Sequence, residues 1–177
     1  MNITGGKYNS LIVHTAEFTN IKPTLSKIRQ AVFNTISSML EKKDKYLFCD
    51  LFAGSGIMTF EAISRGFETI SVEINKKSTK IIKENATKLQ IPINIINTDS
   101  VKFLEKTELK FDVIYIDPPY QSGLYEKVLT VIDKKNILNE QGIIVIEKPD
   151  KLELSIKSFS IIKNKKYSDK SILYLIK

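Results

Sequence analysis

Apolar residues recur along this chain with two alternating periods. Short branched runs at 46–51, 69–72, 93–96, 112–116 and 143–146 have the length of buried parallel strands. Between them the spacing turns helical, predicting helices from Ile57 to about Arg65, from an Asn75 cap to about Leu89, briefly after Ser100, and from about Leu124 to Asp133. Gly66 stops the first of these and Gly142 opens the fifth strand. Ahead of this alternation, Leu25, Ile28, Val32, Phe33, Ile36, Met39 and Leu40 fall on one helical face behind Lys22-Pro23-Thr24, with Thr24 as a candidate N-cap. Residues 1–20 read as a weak β segment around Leu11-Ile12-Val13, with a turn at Gly5-Gly6. Two β-like runs at 158–162 and 171–176 have no long helix between them, which predicts an antiparallel hairpin at the sheet edge.

Strands alternating with helices predict an α/β fold with a doubly wound, mostly parallel, seven-stranded sheet. Residues 1–45 are expected to form a small N-terminal extension, a β segment plus a helix. Residues 46–177 are expected to form one compact domain.

Composition narrows the chemistry. Cys49 is the only cysteine, so no internal disulfide forms, and its apolar run predicts a buried, inert thiol. With His14 the only histidine, a zinc site or a Ser-His-Asp triad is poorly supplied, and no metal is expected. No apolar run approaches membrane-spanning length and the N-terminus lacks a signal-peptide core, so no membrane contact and a cytoplasmic location are expected. The net charge of +7 is unevenly placed. Residues 1–45 carry seven Lys/Arg against three Asp/Glu, 46–150 thirteen against fifteen, and 151–177 seven against two. Basic flanks around a near-neutral body fit contact with a polyanion. Only Arg29 and Arg65 are arginines, so lysine-rich coding accounts for part of the charge.

The candidate chemistry lies where strands end. Asp50-Leu51-Phe52-Ala53-Gly54-Ser55-Gly56 runs from the first strand into a glycine turn, where backbone can approach a ligand closely. Glu73 closes the second strand, 17 residues after Gly56, placed to accept from ribose hydroxyls. Thr59 stands where the third glycine of a dinucleotide fingerprint belongs, which weakens a dehydrogenase reading. Asp99-Ser100 follows the third strand, and Asp117-Pro118-Pro119-Tyr120 follows the fourth. In open α/β sheets ligands bind at such carboxyl ends. The prolines stiffen the last turn and leave two fixed acceptors, the Asp117 carboxylate and the Pro118 carbonyl, beside a flat ring. A planar amine suits that arrangement; a bare proline-rich turn is the simpler alternative. Any one of these features is commonly a cap or a turn, but four at successive strand ends are not expected from packing alone.

Together these residues resemble a class I S-adenosylmethionine-dependent methyltransferase with a Rossmann-like fold, and more closely the RsmD family of bacterial 16S rRNA guanine-N2 methyltransferases. The resemblance spans nearly the whole chain. Ile3-Thr4-Gly5-Gly6-Lys7, Lys22-Pro23-Thr24, Ile28–Asn34, Glu61–Gly66 and Lys166-Tyr167 carry it alongside the more generic glycine and Asp-Pro-Pro-Tyr motifs. It implies that the 52–56 backbone, with Phe52, Ala53, Gly54 and Gly56, cradles S-adenosylmethionine. Asp50 would meet the cofactor's methionine ammonium through water, Glu73 the ribose, and Asp99 with Ser100 the adenine. Asp117 and Pro118 would grip the substrate amine and Tyr120 would stack on its base. Lys7, Lys22 and Arg29 would contact RNA. The implied partner is 16S rRNA within the small subunit or its assembly intermediate, the implied product S-adenosylhomocysteine, and the protein is expected to be a monomer. Lys22 stands where the family usually has arginine, which loses bidentate phosphate recognition. Tyr8-Asn9-Ser10 replaces a more basic stretch, and Ser168 replaces a frequent glycine.

The Asp-Pro-Pro-Tyr turn alone leaves adenine-N6 and cytosine-N4 methylation of DNA or RNA open, since each substrate presents an amine. A non-catalytic rRNA-binding assembly factor is a further reading.

Overall fold

The computed structural model describes residues 1–15, 23–119 and 123–177. Among the described residues, seven strands form one sheet: β1 (Leu47–Asp50), β2 (Glu68–Glu73), β3 (Ile95–Asn97), β4 (Phe111–Ile116), β5 (Leu138–Pro149), β6 (Ser160–Tyr167) and β7 (Lys170–Ile176). Their order is β3-β2-β1-β4-β5-β7-β6. The first five are parallel, and β7 pairs antiparallel with both β5 and β6. This is the doubly wound sheet with an antiparallel C-terminal hairpin that the sequence pattern predicts. The helices are α1 (Pro23–Met39), α2 (Ile57–Ser64), α3 (Lys76–Leu89), α4 (Ser100–Lys106) and α5 (Leu124–Lys135). None among the described residues is long and apolar enough to cross a membrane.

Alternation along the strands builds two cores. Ile114 and Ile116 of β4, Ile144 and Ile146 of β5, and Leu173 and Leu175 of β7 face α4 and α5, where Phe103, Leu104, Val128 and Ile132 are buried. Val113, Tyr115, Ile143, Val145, Ile172 and Tyr174 take the opposite face and meet Ile28, Val32, Phe33 and Ile36 of α1. The helix expected in the N-terminal extension thus covers one face of the sheet. It starts at Pro23, a residue suited to a first helical turn, so Thr24 lies inside the helix rather than at its cap. The Cys49 thiol is fully buried in the first core, and burial pushes its pKa well above the ordinary value. Strand β5 starts at Leu138, ahead of Gly142, with a register irregularity against β4 between Phe111 and Val113.

The N-terminal β segment is a single antiparallel bridge between Asn2 and Ile12. It docks on α2 through a buried carboxylate. Glu61 is fully buried; its Oε1 and Oε2 accept the Thr4 hydroxyl (2.7 Å) and amide (2.9 Å). Arg65, one helical turn on from Glu61, reaches it at 2.9 Å, and Arg29 of α1 reaches it at 3.2 Å. Gly6, at φ 78°, lies against the Ser64 carbonyl, in space that any Cβ would fill. The Lys7 amide donates to that same carbonyl at 2.7 Å.

Candidate active site

Parallel pairing brings the carboxyl ends of β1, β2 and β4 side by side. Asp50 pairs in register with Ser71 on one side and Tyr115 on the other, so the acid at the end of β1 sits between its two neighbours. The chain then turns through Phe52–Gly56 into α2. Gly56, at φ 77°, approaches Ile82 of α3 so closely that a Cβ would stand 2.9 Å from it.

Hydrogen bonding within this turn decides what it can hold. The Ala53 amide donates to the Val72 carbonyl (2.9 Å), Gly54 to Glu73 Oε2 (2.7 Å), and Gly56 to the Ala53 carbonyl (2.6 Å). These three donors are spent inside the protein. A pyrophosphate needs amides aimed at it from such a turn. This turn instead stands beside carboxylates, and it therefore suits a cation rather than a phosphate. Thr59, where a dinucleotide fingerprint has glycine, donates its hydroxyl to Asp50 Oδ2 at 2.7 Å.

Asp50 is 1% exposed, and its Oδ1 is buried without a hydrogen-bond partner. Burial pushes its carboxyl up to about 6, with Thr59 and the Phe52 amide opposing and Glu73 reinforcing the shift. Burial, the Glu147 charge and Asp50 push Asp117 up to about 8, against the pull of Lys170. A cation bound between these acids would relieve both.

Two clefts open here. One, of about 380 Å³, is lined by Leu51, Phe52, Gly54, Glu73, Asp99 and Asp117 among others. The second runs beneath α1 and takes in Asp50, Ala53, Tyr115, Asp117, Glu147 and Lys170. They meet at Phe52, Gly54 and Asp117. Glu73 is fixed at both oxygens, by the Gly54 and Asn75 amides, each at 2.7 Å. Pro118 and Pro119 line the first cleft.

The predicted residues divide into those gathered at the clefts and those placed elsewhere. Asp50, Phe52, Ala53, Gly54, Glu73, Asp99, Ser100, Asp117 and Pro118 line one or both clefts, and Gly56 shapes the turn behind them. Asp99 also caps α4, accepting from the Lys102 amide at 2.9 Å. The Ser100 hydroxyl is committed to the Leu51 carbonyl at 2.5 Å, which ties α4 to the loop after β1. Arg29 also lines the cleft beneath α1, but it needs correction as an RNA contact. It is 4% exposed, bound to Glu61 and donating to the Asn2 carbonyl at 2.7 Å, because the buried Glu61 carboxylate requires a partner. Lys7 is exposed. Tyr120 and Lys22 lie outside the described residues. Among the described residues no group of three or more His, Cys, Asp or Glu could hold a metal ion.

Sequence reading missed Glu147, Tyr115 and Lys170. Tyr115 donates its hydroxyl to Glu147 Oε2 at 2.7 Å, and Lys170 pairs with Oε1. The signal was present: Glu147 directly follows the apolar run 143–146, as Asp117 follows 112–116, although β5 itself continues to Pro149.

The strand order, with acids at the ends of β1, β2 and β4, defines a class I methyltransferase fold. Residues 1–176 match the family described as Conserved hypothetical protein 95. The chain belongs to that family, the RsmD family. It is similar to the ribosomal RNA small subunit methyltransferase D of Buchnera aphidicola subsp. Acyrthosiphon pisum, 34% identical over 168 residues, 92% of this chain and 86% of that protein. The protein of the same name from Buchnera aphidicola subsp. Baizongia pistaciae is 32% identical over 154 residues, 86% and 78% of the two chains. Among solved structures, the putative methyltransferase yhhF of Escherichia coli superposes with a TM-score of 0.87 at 20% identity, covering 100% of this chain and 97% of that one.

Proposed function

We propose that this protein methylates the exocyclic N2 amine of a guanine in 16S rRNA, within the small ribosomal subunit or its assembly intermediate, using S-adenosylmethionine. One observation carries the reading: two clefts rich in carboxylate acceptors meet at Asp117, beside a turn whose Ala53, Gly54 and Gly56 amides are already spent. That arrangement favours a cationic cofactor on one side and an amine on the other. The unpartnered Asp50 Oδ1 gives the cofactor's ammonium a seat, directly or through water. Glu73 is placed for the ribose hydroxyls and Asp99 for the adenine amine. When bound, the sulfonium supplies an electrophilic methyl group whose C–S electron pair leaves on sulfur.

The residues of this chain do the positioning. The Asp117 carboxylate and Pro118 carbonyl accept the two N2 hydrogens, which favours a pyramidal nitrogen and aims its lone pair at the methyl carbon. Once methylated, the cationic N2 would give up one proton, to the Asp117 carboxylate or to water. No histidine base is required. Tyr120 keeps the stacking role assigned from the sequence. The target base enters from unpaired RNA, where unstacking costs least. The exposed Lys7, together with Lys22, is assigned to the RNA backbone. The enzyme acts as a cytoplasmic monomer in this reading.

The test is a nucleoside digest. Purified protein is incubated with labelled S-adenosylmethionine and small subunits from a strain lacking this gene, and the labelled nucleoside is identified by mass spectrometry. N2-methylguanosine is expected, and Asp117→Ala should abolish it while cofactor binding persists. Label in N6-methyladenosine or N4-methylcytidine would overturn the guanine assignment.

A further inference from the structure

Glu147 stands beside Asp117 for a reason of register. Ile116, the last residue of β4, pairs with Ile146 of β5 in parallel, so Asp117, just past the end of β4, and Glu147, still within β5, directly follow that pair. Both line the cleft beneath α1. Glu147 is 8% exposed; Tyr115 and Lys170 hold one oxygen each. A carboxylate has about four acceptor positions, so each oxygen keeps capacity for a further donor. Lys170 lines the same cleft and brings a cation to that wall.

Resting on the guanine reading above, we propose that Glu147 reads the Watson–Crick edge of the target base, accepting its N1–H, with the Lys170 ammonium facing O6. Guanine places a donor at N1 directly beside the N2 amine. Adenine and cytosine instead place an unprotonated ring nitrogen beside their exocyclic amines. A carboxylate next to the amine grip therefore attracts guanine and repels the other two. The Asp-Pro-Pro-Tyr turn cannot make this distinction, because it meets only the amine. Glu147 supplies selectivity and Asp117 supplies alignment. A site built to bond one ring donor rejects analogues lacking it far more strongly than a shape-selective pocket does.

The experiment uses 2-aminopurine, which keeps the 2-amine but has no N1–H and no O6. Once the digest has located the methylated guanine, small subunits are reconstituted with guanine or 2-aminopurine at that position. Both are offered to the wild-type protein and to Glu147→Gln. The wild type should prefer guanine by on the order of 10- to 100-fold in kcat/KM, the range of one hydrogen bond to a charged group. Glu147→Gln should lose activity mainly on guanine, bringing the ratio towards one. A wild-type enzyme that methylates both bases equally overturns the proposal without reference to any variant. An unchanged ratio in folded Glu147→Gln, judged by its thermal melt and S-adenosylhomocysteine binding, overturns it as well and leaves Glu147 a structural partner of Lys170. Failure to label N2 of any guanine in the preceding digest would instead remove the guanine reading itself.

Discussion

The Gly54 amide donates to the Glu73 carboxylate at 2.7 Å, which ties the turn after β1 to the end of β2. Glu73 shapes the first cleft and, in the function proposed above, binds the cofactor there. Replacing it with Ala should weaken S-adenosylmethionine binding by about 10- to 100-fold, the scale of hydrogen bonds to a charged acceptor. Glu73→Gln should recover part of that loss, because an amide oxygen can still accept one of the bonds. Isothermal titration with S-adenosylhomocysteine reads both variants. Equal binding by Glu73→Ala would remove Glu73 from the cofactor site.

Raised carboxyl pKa values give the ligand-free protein a pH signature. Asp117 is pushed up to about 8 and Asp50 up to about 6, against about 4 in an unfolded chain. Between about pH 4 and 8 the folded state therefore holds more protons than the unfolded state, and stability falls as pH rises through that window. Asp117→Asn should flatten the upper part of the slope in urea melts. Affinity for the cationic cofactor should move the opposite way, strengthening as Asp50 ionises around pH 6. A flat affinity profile would show that the ligand does not meet the Asp50 carboxylate.

Removing the buried Glu61 carboxylate should be costly. Arg29 is 4% exposed and Arg65 lies against the same group, so Glu61→Ala leaves cations without their partner. The expected loss is about 3–5 kcal/mol. The double change Glu61→Leu with Arg29→Met should cost less than Glu61→Ala, since it leaves only the less buried Arg65 without a counter-charge. Urea denaturation measures both. Equal stability of wild type and Glu61→Ala would mean that the N-terminal segment does not depend on this carboxylate.

Ser168 occupies the hairpin turn between β6 and β7 at φ 55°, a left-handed conformation that costs an L-residue roughly 1–2 kcal/mol. Glycine adopts it freely but is more flexible when unfolded, so Ser168→Gly should stabilise by a smaller amount, about 0.5–1 kcal/mol. A thermal melt that fails to rise would place the strain elsewhere.

Much of this architecture was legible because period and position carry it. Alternation in β4 assigns Val113 and Tyr115 to one core and Ile114 and Ile116 to the other without reference to any partner. Acids at strand ends point at the cleft for the same reason. Arg29 was misread because charge is local in sequence and burial is not; its partner Glu61 is 32 residues away, and no periodicity links them. Ser100 falls at the predicted place, yet its hydroxyl serves the Leu51 carbonyl, a bond that only the fold creates. Glu147 was overlooked because no glycine turn or paired prolines follow it directly, as they follow Asp50 and Asp117, and it lies inside β5, which runs on to Pro149.

The central pairing of the sheet has a kinetic consequence. Phe48 on β1 lies beside Val113 on β4, so the middle of the sheet joins segments far apart in sequence. Such long-range closure slows folding. The cleft proposed for the cofactor is built from the ends of β1, β2 and β4, and it takes form only after those distant segments have met. A ligand added during refolding then finds nothing to hold until the barrier has been crossed. S-adenosylhomocysteine should accordingly leave the refolding limb of a chevron unmoved and depress only the unfolding limb, lengthening the lifetime of the native enzyme without hastening its arrival.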